Sequence, residues 1–361
     1  MAKNEIVGGI DPNEQKREVA RVAARRAATS RTITEVLNDY ERVKLSQLRR
    51  GAGVRRALDG QRGLLRALAQ REVASVTRGD ILQAVRKHAE VAPIAANRGL
   101  AYARAFFNWC VDQELVENNP AATIRKPAKE RTRDRYHSVD ELIEIWEATK
   151  QLGYPFGPLF RLLIALPMRR EELAALPVDE LKLDDAVWTL PAARTKRSNS
   201  LRVPLSPLAC SIIADALAAP ERPRESQFVF SMTGDSSVSG FTKAKRRLDR
   251  IISEGRRSTC LQTDVEVSEM EHWTLHDLRT TFSTLACEVL GADIAVVDRI
   301  LNHVATATTS KIMRVYNKSE LFEPRKRLLI EWAELIERAS KMRSRRKSGS
   351  NSSNPQTSGS T

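Results

Sequence analysis

Apolar residues recur at spacings of three and four most clearly between Asn97 and Leu115, where Leu100, Ala103, Phe107 and Cys110 line one helical face. Asn119-Pro120 breaks that helix. Upstream, Thr32-Ile33-Thr34 predicts the start of a helix carrying Val36, Leu37 and Tyr40, and Asp80 predicts a cap for one carrying Ile81, Ala84 and Val85. Residues 31–127 therefore read as an all-helical module. Arg62, Arg66, Arg86, Lys87, Arg98 and Arg104 dot its polar faces, where most charges only keep a helix solvated. Residues 1–30 form a polar segment in which Gln15 to Arg26 suits a charged helix.

Past residue 136 the pattern changes. Ser138 with Glu141 caps a helix bearing Leu142, Ile145 and Trp146, and Phe160 to Ala165 is an apolar helix running up to Arg169. The period then drops to two at Val187–Leu190 and Leu201–Leu205, with Arg197-Ser198-Asn199-Ser200 as the turn, which predicts a hairpin. Ser206-Pro207 opens a helix burying Leu208, Ile212, Ile213 and Leu217. Phe228–Phe230 reads as a third short strand, Gly234 to Gly240 as a loop and Phe241 to Ile252 as a basic helix, while Ser258 to Glu271 reads as irregular. Thr274 and Asp277 match a capping box, followed by a stripe of Leu278, Phe282 and Leu285. Gly291 stops that helix, and Asp293 caps another with Val297, Ile300 and Leu301 inward. Pro324 opens a last helix with Leu328, Leu329, Trp332, Leu335 and Ile336 on one side; so apolar a stripe must bury itself, in this chain or on a neighbour. The fold class is mainly α with a small antiparallel β-sheet (α+β).

Composition narrows the partners. The 361 residues have room for two ordinary domains, and 59 Lys and Arg against 45 Asp and Glu give a net charge of +14. Five of the cations (Lys341, Arg343, Arg345, Arg346, Lys347) lie in an acid-free tail, and setting them aside leaves about +9 on the body. A basic body favours polyanions, nucleic acid before anionic membrane. No long apolar run and no signal-peptide pattern occurs, which argues against a membrane and for a cytoplasmic protein. Cys110, Cys210, Cys260 and Cys287 are scattered without C-x-x-C, as expected of reduced buried thiols rather than a zinc site or a disulfide framework. The chain lacks a phosphate-binding G-x-x-x-x-G-K-[ST] loop and carboxylates at metal-site spacing, so no metal or cofactor is expected.

Trp273 to Tyr316 holds the candidate chemistry. His276 and Arg279 share a face in the first turn of their helix, and such a terminus, with its free N–H groups and two side-chain donors, is an anion site. Alone, each residue has a plainer reading: a histidine at a helix start is more often a satisfied surface or core histidine, a tyrosine after an apolar run is usually core, and a hairpin lysine is normally just solvated. The signals gain weight together with Leu166-Pro167-Met168-Arg169-Arg170-Glu171-Glu172-Leu173, Thr195-Lys196, Leu301-Asn302-His303 and Val315-Tyr316. The order Arg, Lys, His-x-x-Arg, His, Tyr resembles the tyrosine recombinase family, in particular bacteriophage- and island-type integrases, over about Arg31 to Ala339.

That resemblance implies a helical core-DNA-binding domain at 31–127, a basic linker at 128–136, a catalytic domain at 137–340 and a basic disordered tail at 341–361. It implies catalytic roles for Arg169, Lys196, His276, Arg279, His303 and Tyr316. Glu172 is then the buried supporting partner, and Arg170 a surface charge. Family members commonly have Thr-Gly before the position of Met168, where this chain has Leu166-Pro167. Arg125, Lys126, Lys129, Arg131, Arg133 and Arg135 would track a DNA duplex through its phosphates. Gly8-Gly9-Ile10-Asp11-Pro12 resembles the joint after an arm-DNA-binding domain, which implies that this domain is missing or reduced here. The implied activity is site-specific recombination of double-stranded DNA through a 3′-phosphotyrosine, integrating or excising a mobile element. The implied partners are attachment-site DNA, a homotetramer at the synapse built from free monomers, and host or phage DNA-bending proteins; the bound enzyme would sit on the nucleoid. Two rival readings stay open: a type IB topoisomerase-like enzyme that religates the same strand, and a catalytically silent DNA-binding relative.

Overall fold

Short polar side chains cap several helices of this chain, among them those that begin after Thr32, Thr77, Ser138, Ser206 and Asp293. The computed structural model describes residue 17 and residues 30–48, 50–130, 134–194, 200–263, 268–302 and 320–350. The chain divides into two units, residues 1–132 and 133–361.

In the first unit, Thr32 and Glu35 form a capping box that starts α1 (Ile33–Val43). A second helix, α2 (Gly51–Asp59), has no counterpart in the sequence reading. Its first residue must be glycine, because a Cβ there would lie 1.9 Å from the Leu45 carbonyl oxygen. Helix α3 (Arg78–Val91) starts at Thr77 rather than Asp80, and Asp80 supplies the returning carboxylate of the box. Helix α4 (Pro93–Asp112) buries Leu100, Ala103, Phe106, Phe107 and Cys110. Tyr40 packs edge-on to Phe106 at 5.5 Å and against Trp109 at 5.2 Å. The start of the linker is held on α4, where Asn97 Nδ2 donates to Ala128 O at 2.8 Å and Asn97 Oδ1 accepts from Ala128 N at 3.2 Å. Arg104, a candidate polar-face cation, instead donates to Ala121 O (3.1 Å) and Ile124 O, closing the loop after α4.

The second unit opens with the Ser138–Glu141 box of α5 (Val139–Thr149). It continues through α6 (Phe156–Ala165) and the short α7 (Arg170–Ala174). Strands β1 (Leu181–Lys182), β2 (Val187–Leu190) and β3 (Leu201–Pro204) pair antiparallel in that order. Trp188 lies opposite both Leu181 and Val203. The third strand is thus β1, not Phe228–Phe230. That segment makes one isolated bridge to Pro177, and its fully buried Val229 and Phe230 serve the core. Next come α8 (Pro207–Leu217), α9 (Phe241–Thr263), α10 (Asp277–Glu288), α11 (Ile294–Ile300) and α12 (Phe322–Ser350).

Two boundaries differ from the sequence reading. Helix α9 runs on through 258–263, past Gly255, because Arg256 anchors it with a two-pronged ion pair to Glu144 at 2.9 and 2.8 Å. Helix α12 runs to Ser350, so residues 341–350 are helical rather than the start of a disordered tail. Cations in a last turn interact favourably with the helix dipole, and Ser344 Oγ donates back to Ser340 O at 3.1 Å. The apolar stripe of α12 is buried within its own unit: Leu328, Leu329, Trp332 and Ile336 join the core formed by α5, α6, α8, α10 and the sheet. No helix among the described residues is long and apolar enough to cross a membrane.

Candidate active site

Arg169 sits where α6 ends and α7 begins. Leu166 caps α6, Pro167 prevents its continuation, and Arg169 is the extended N-cap of α7. Its backbone N–H donates to Glu172 Oε2 at 3.2 Å and its Nη1 to Glu172 Oε1 at 3.0 Å. Glu172 is buried, so this carboxylate holds the main chain and the guanidinium of Arg169 together. The remaining prong of Arg169, Nη2, donates to Asn302 O at 3.1 Å. Arg170 turns away: it pairs with Glu171, stacks 4.5 Å from the Phe241 ring centroid and leaves its side chain 44% exposed.

Arg279 approaches from α10. At the first residue of that helix, Asp277 accepts from Thr274 N (2.8 Å) and Thr274 Oγ1 (3.0 Å), which fixes the turn carrying Leu275 and His276. Arg279 is 5% exposed and donates from Nη1 to Pro167 O and from Nη2 to Leu301 O at 2.8 Å. The two arginines therefore meet on consecutive carbonyls, Leu301 and Asn302. Asn302 follows α11 with φ +48°, a left-handed conformation that asparagine tolerates better than most side chains.

Burial and like charge both act on this cluster. Burial, reinforced by the charge of Arg169 and opposed by Glu172, pulls Arg279 down to about 10. Partial desolvation, then the charges of Arg279 and Arg169, hold His276 below the ordinary histidine value despite its exposed surface. Arg169 and Arg279 disfavour each other's charge, and a bound oxyanion would relieve that repulsion.

Behind α10, a buried network fixes its first turns. His137 N–H and Nδ1 both meet Thr281 Oγ1, at 2.9 and 2.8 Å, and Thr281 donates to Asp277 O at 2.8 Å. Thr281 has a single hydroxyl hydrogen and gives it to Asp277, so the His137 proton must be on Nδ1. The Trp273 ring stands edge-on to His137 at 5.0 Å, with Lys245 Nζ 3.6 Å from its centroid.

The structure thus brings Arg169, Glu172, His276 and Arg279 into one neighbourhood. Lys196, His303 and Tyr316 lie outside the described residues, as do Arg131 and Arg133. Arg125, Lys126 and Lys129 are exposed. Arg135, grouped with them in the sequence reading, is mostly buried and bonds Glu141 Oε1 at 2.7 Å with Glu271 nearby, so its charge is already neutralised. Arg194 is a residue that spacing did not single out. It ends the turn Ala192–Arg194 after β2, pairs with Glu180, and donates from Nη2 to Glu172 O (3.0 Å) and Ala175 O (2.5 Å). The only sequence hint is its place two residues before Lys196.

Residues 135–319 match the phage integrase family, over half of the chain. The chain belongs to that family, the tyrosine-type site-specific recombinases. Prophage integrase IntZ of Escherichia coli K12 is 26% identical over 340 residues, 92% of this chain and 77% of IntZ. Tyrosine recombinase XerC of Pelotomaculum thermopropionicum is 26% identical over 233 residues, 62% of this chain and 73% of XerC. The fold is similar to that of lambda integrase in a tetramer bound to a Holliday junction, with a TM-score of 0.58 at 14% identity over 85% of each chain. Family membership favours recombination over the topoisomerase-like reading.

Proposed function

We propose that this recombinase cuts and rejoins double-stranded DNA at a specific site with Tyr316 as nucleophile. The observation that carries the reading is the meeting of Arg169 and Arg279 on the Leu301 and Asn302 carbonyls, with Glu172 holding the first arginine in place. Two guanidiniums so fixed suit the two non-bridging oxygens of a phosphodiester. Tyr316 Oη forms the new bond to phosphorus, the bond from phosphorus to the 5′-oxygen breaks, and Lys196 gives that oxygen its proton. His276 and His303 take up the tyrosine proton or donate to the phosphate. The product is a 3′-phosphotyrosine and a free 5′-hydroxyl. Attack by a 5′-hydroxyl from a second duplex then reverses the bond changes and completes exchange, so the phosphate bond energy is conserved.

Two duplexes exchanging strands require four protomers, and the likeness to a lambda integrase tetramer on a Holliday junction supports that assembly. Arg125, Lys126 and Lys129, with Arg131 and Arg133, bind backbone phosphates and position the duplex. DNA-bending proteins of the host or element assist, and the work is done in the cytoplasm on nucleoid DNA.

The test starts from a pool of nicked duplexes with a randomised core, selected for denaturation-resistant adducts with the wild-type protein. Tyr316→Phe should form no adduct on the selected site yet retain its affinity. Adducts that persist in Tyr316→Phe would remove the tyrosine from this role, and tight binding with no wild-type adduct would mark a silent relative.

A further inference from the structure

We propose that Arg194 is a positioning residue for Arg169, acting through the short helix α7 that links the two. The inference rests on the reading of Arg169 as a group that holds a non-bridging oxygen of the scissile phosphate.

Helix α7 has 5 residues, Arg170–Ala174. So short a helix leaves most of its carbonyls without an internal partner and gains little from its own hydrogen bonds. Yet it must hold still, because Glu172 in its first turn grips Arg169 twice, at the backbone N–H (3.2 Å) and at Nη1 (3.0 Å). The backbone does not secure the other end of the helix. An α-helix would aim the N–H of Leu176 at the Glu172 carbonyl, but that N–H donates to Leu173 O at 3.1 Å instead. Arg194 takes the carbonyl over: its Nη2 donates to Glu172 O at 3.0 Å and to Ala175 O at 2.5 Å.

Arg194 can anchor α7 because it is itself anchored in the sheet. It pairs with Glu180, whose Oε2 also accepts from Trp188 Nε1 at 2.9 Å, and Trp188 is fully buried in β2. Its own N–H donates to Pro191 O at 3.0 Å, closing the turn after β2. Glu172 is the shared part: its carboxylate holds Arg169 and its carbonyl is held by Arg194, so the sheet sets the place of the phosphate-binding guanidinium. A planar fork reaching a carboxylate and two carbonyls at once is a geometry that lysine cannot reproduce.

The test measures strand cleavage by the full-length protein on three versions of the selected core duplex. One has the ordinary phosphodiester. The other two are the diastereomers of a methylphosphonate, in which a methyl group replaces one or the other non-bridging oxygen at the scissile position and leaves the group neutral. Arg169→Ala should slow cleavage of the ordinary duplex by about 10²–10³-fold, the scale of one lost oxyanion donor, and should lose far less on the diastereomer that lacks its oxygen. Arg194→Ala should slow the ordinary duplex by about 10²-fold, as a misplaced catalytic group does, and should be relieved on the same diastereomer as Arg169→Ala. Loss of fold alone would lower all three rates together. If Arg169→Ala is relieved and Arg194→Ala is not, or if Arg194→Ala cleaves the ordinary duplex at the wild-type rate, the inference falls alone. If Arg169→Ala is relieved on neither diastereomer, the phosphate-holding reading fails and takes the inference with it. Should Arg194→Ala not fold, Arg194→Lys, which keeps the charge beside Glu180 but not the fork, is judged by the same three duplexes.

Discussion

His137 shows how far a single side chain can set the conditions under which this site exists. It has no exposed surface, its proton is committed to Thr281, and its Nε2 meets no hydrogen-bond partner among the described residues. Protonation would create an N–H in that unpartnered position. Burial first, then the charges of Arg135 and Lys245, lower its pKa to about 4 against the opposing pull of Glu141 and Asp277. Between the unfolded value of 6.5 and that folded value the unfolded chain binds more protons, so stability rises with pH across this window. The contribution is complete above pH 6.5 and is lost as pH falls toward 4. At pH 5 the loss relative to pH 7 is about 2 kcal/mol. Urea unfolding at the two pH values should show it in the wild type. His137→Gln, less stable at pH 7, should lose that part of the pH dependence, and an unchanged dependence would assign it to another group.

Among the elements, α12 bridges the two helices that lead to the arginine pair. Trp332 is 1% exposed, donates Nε1–H to Ile164 O at 2.8 Å and stands edge-on to Phe282 at 5.2 Å. Ile164 lies in the last turn of α6, whose carbonyls have no internal partner, and Phe282 lies on α10. One indole therefore pins together the helix leading to Arg169 and the helix carrying Arg279. Trp332→Ala should cost about 3–5 kcal/mol of stability, read as a fall in denaturation midpoint, and Trp332→Phe distinctly less. Equal midpoints for Trp332→Ala and wild type would mean that α12 is not part of this core. The stripe that buries Trp332 was legible in the sequence because periodicity records which face is apolar, and the caps at Thr32, Ser138 and Ser206 were legible because the capping side chain is local. Helix α2 was not, since Gly51 and Gly53 are poor helix formers and a close approach to Leu45 requires the first of them. The extension of α9 past Gly255 depends on Glu144, far away in sequence. At the site, the residue types of Arg169, Glu172, His276 and Arg279 could be read in order. The acceptors that orient them could not, because Pro167, Leu301 and Asn302 act through backbone carbonyls and any residue carries one.

For the molecule as a whole, the net charge of +14 matters through where the cations are free to act. Lys126 is paired only at the surface, 3.2 Å from Glu130, in a contact that solvent screens, and Arg125 and Lys129 are exposed beside it. Arg135 is the counterexample, a cation of the same linker held by Glu141 inside the second unit. DNA binding that depends on about six phosphate contacts should weaken by about 10³-fold between 50 and 200 mM salt. Replacing Arg125, Lys126 and Lys129 together with alanine should reduce the slope of log affinity against log salt by about 3, because each lost contact removes about 0.9 released counterions. Arg135→Ala should leave that slope unchanged while lowering stability, since it strips Glu141 of its partner. Fluorescence anisotropy on the selected core duplex at four or five salt concentrations separates these cases. A triple variant with the wild-type slope would place the three exposed cations off the DNA, and a reduced slope for Arg135→Ala would mean that its ion pair opens to let it reach a phosphate.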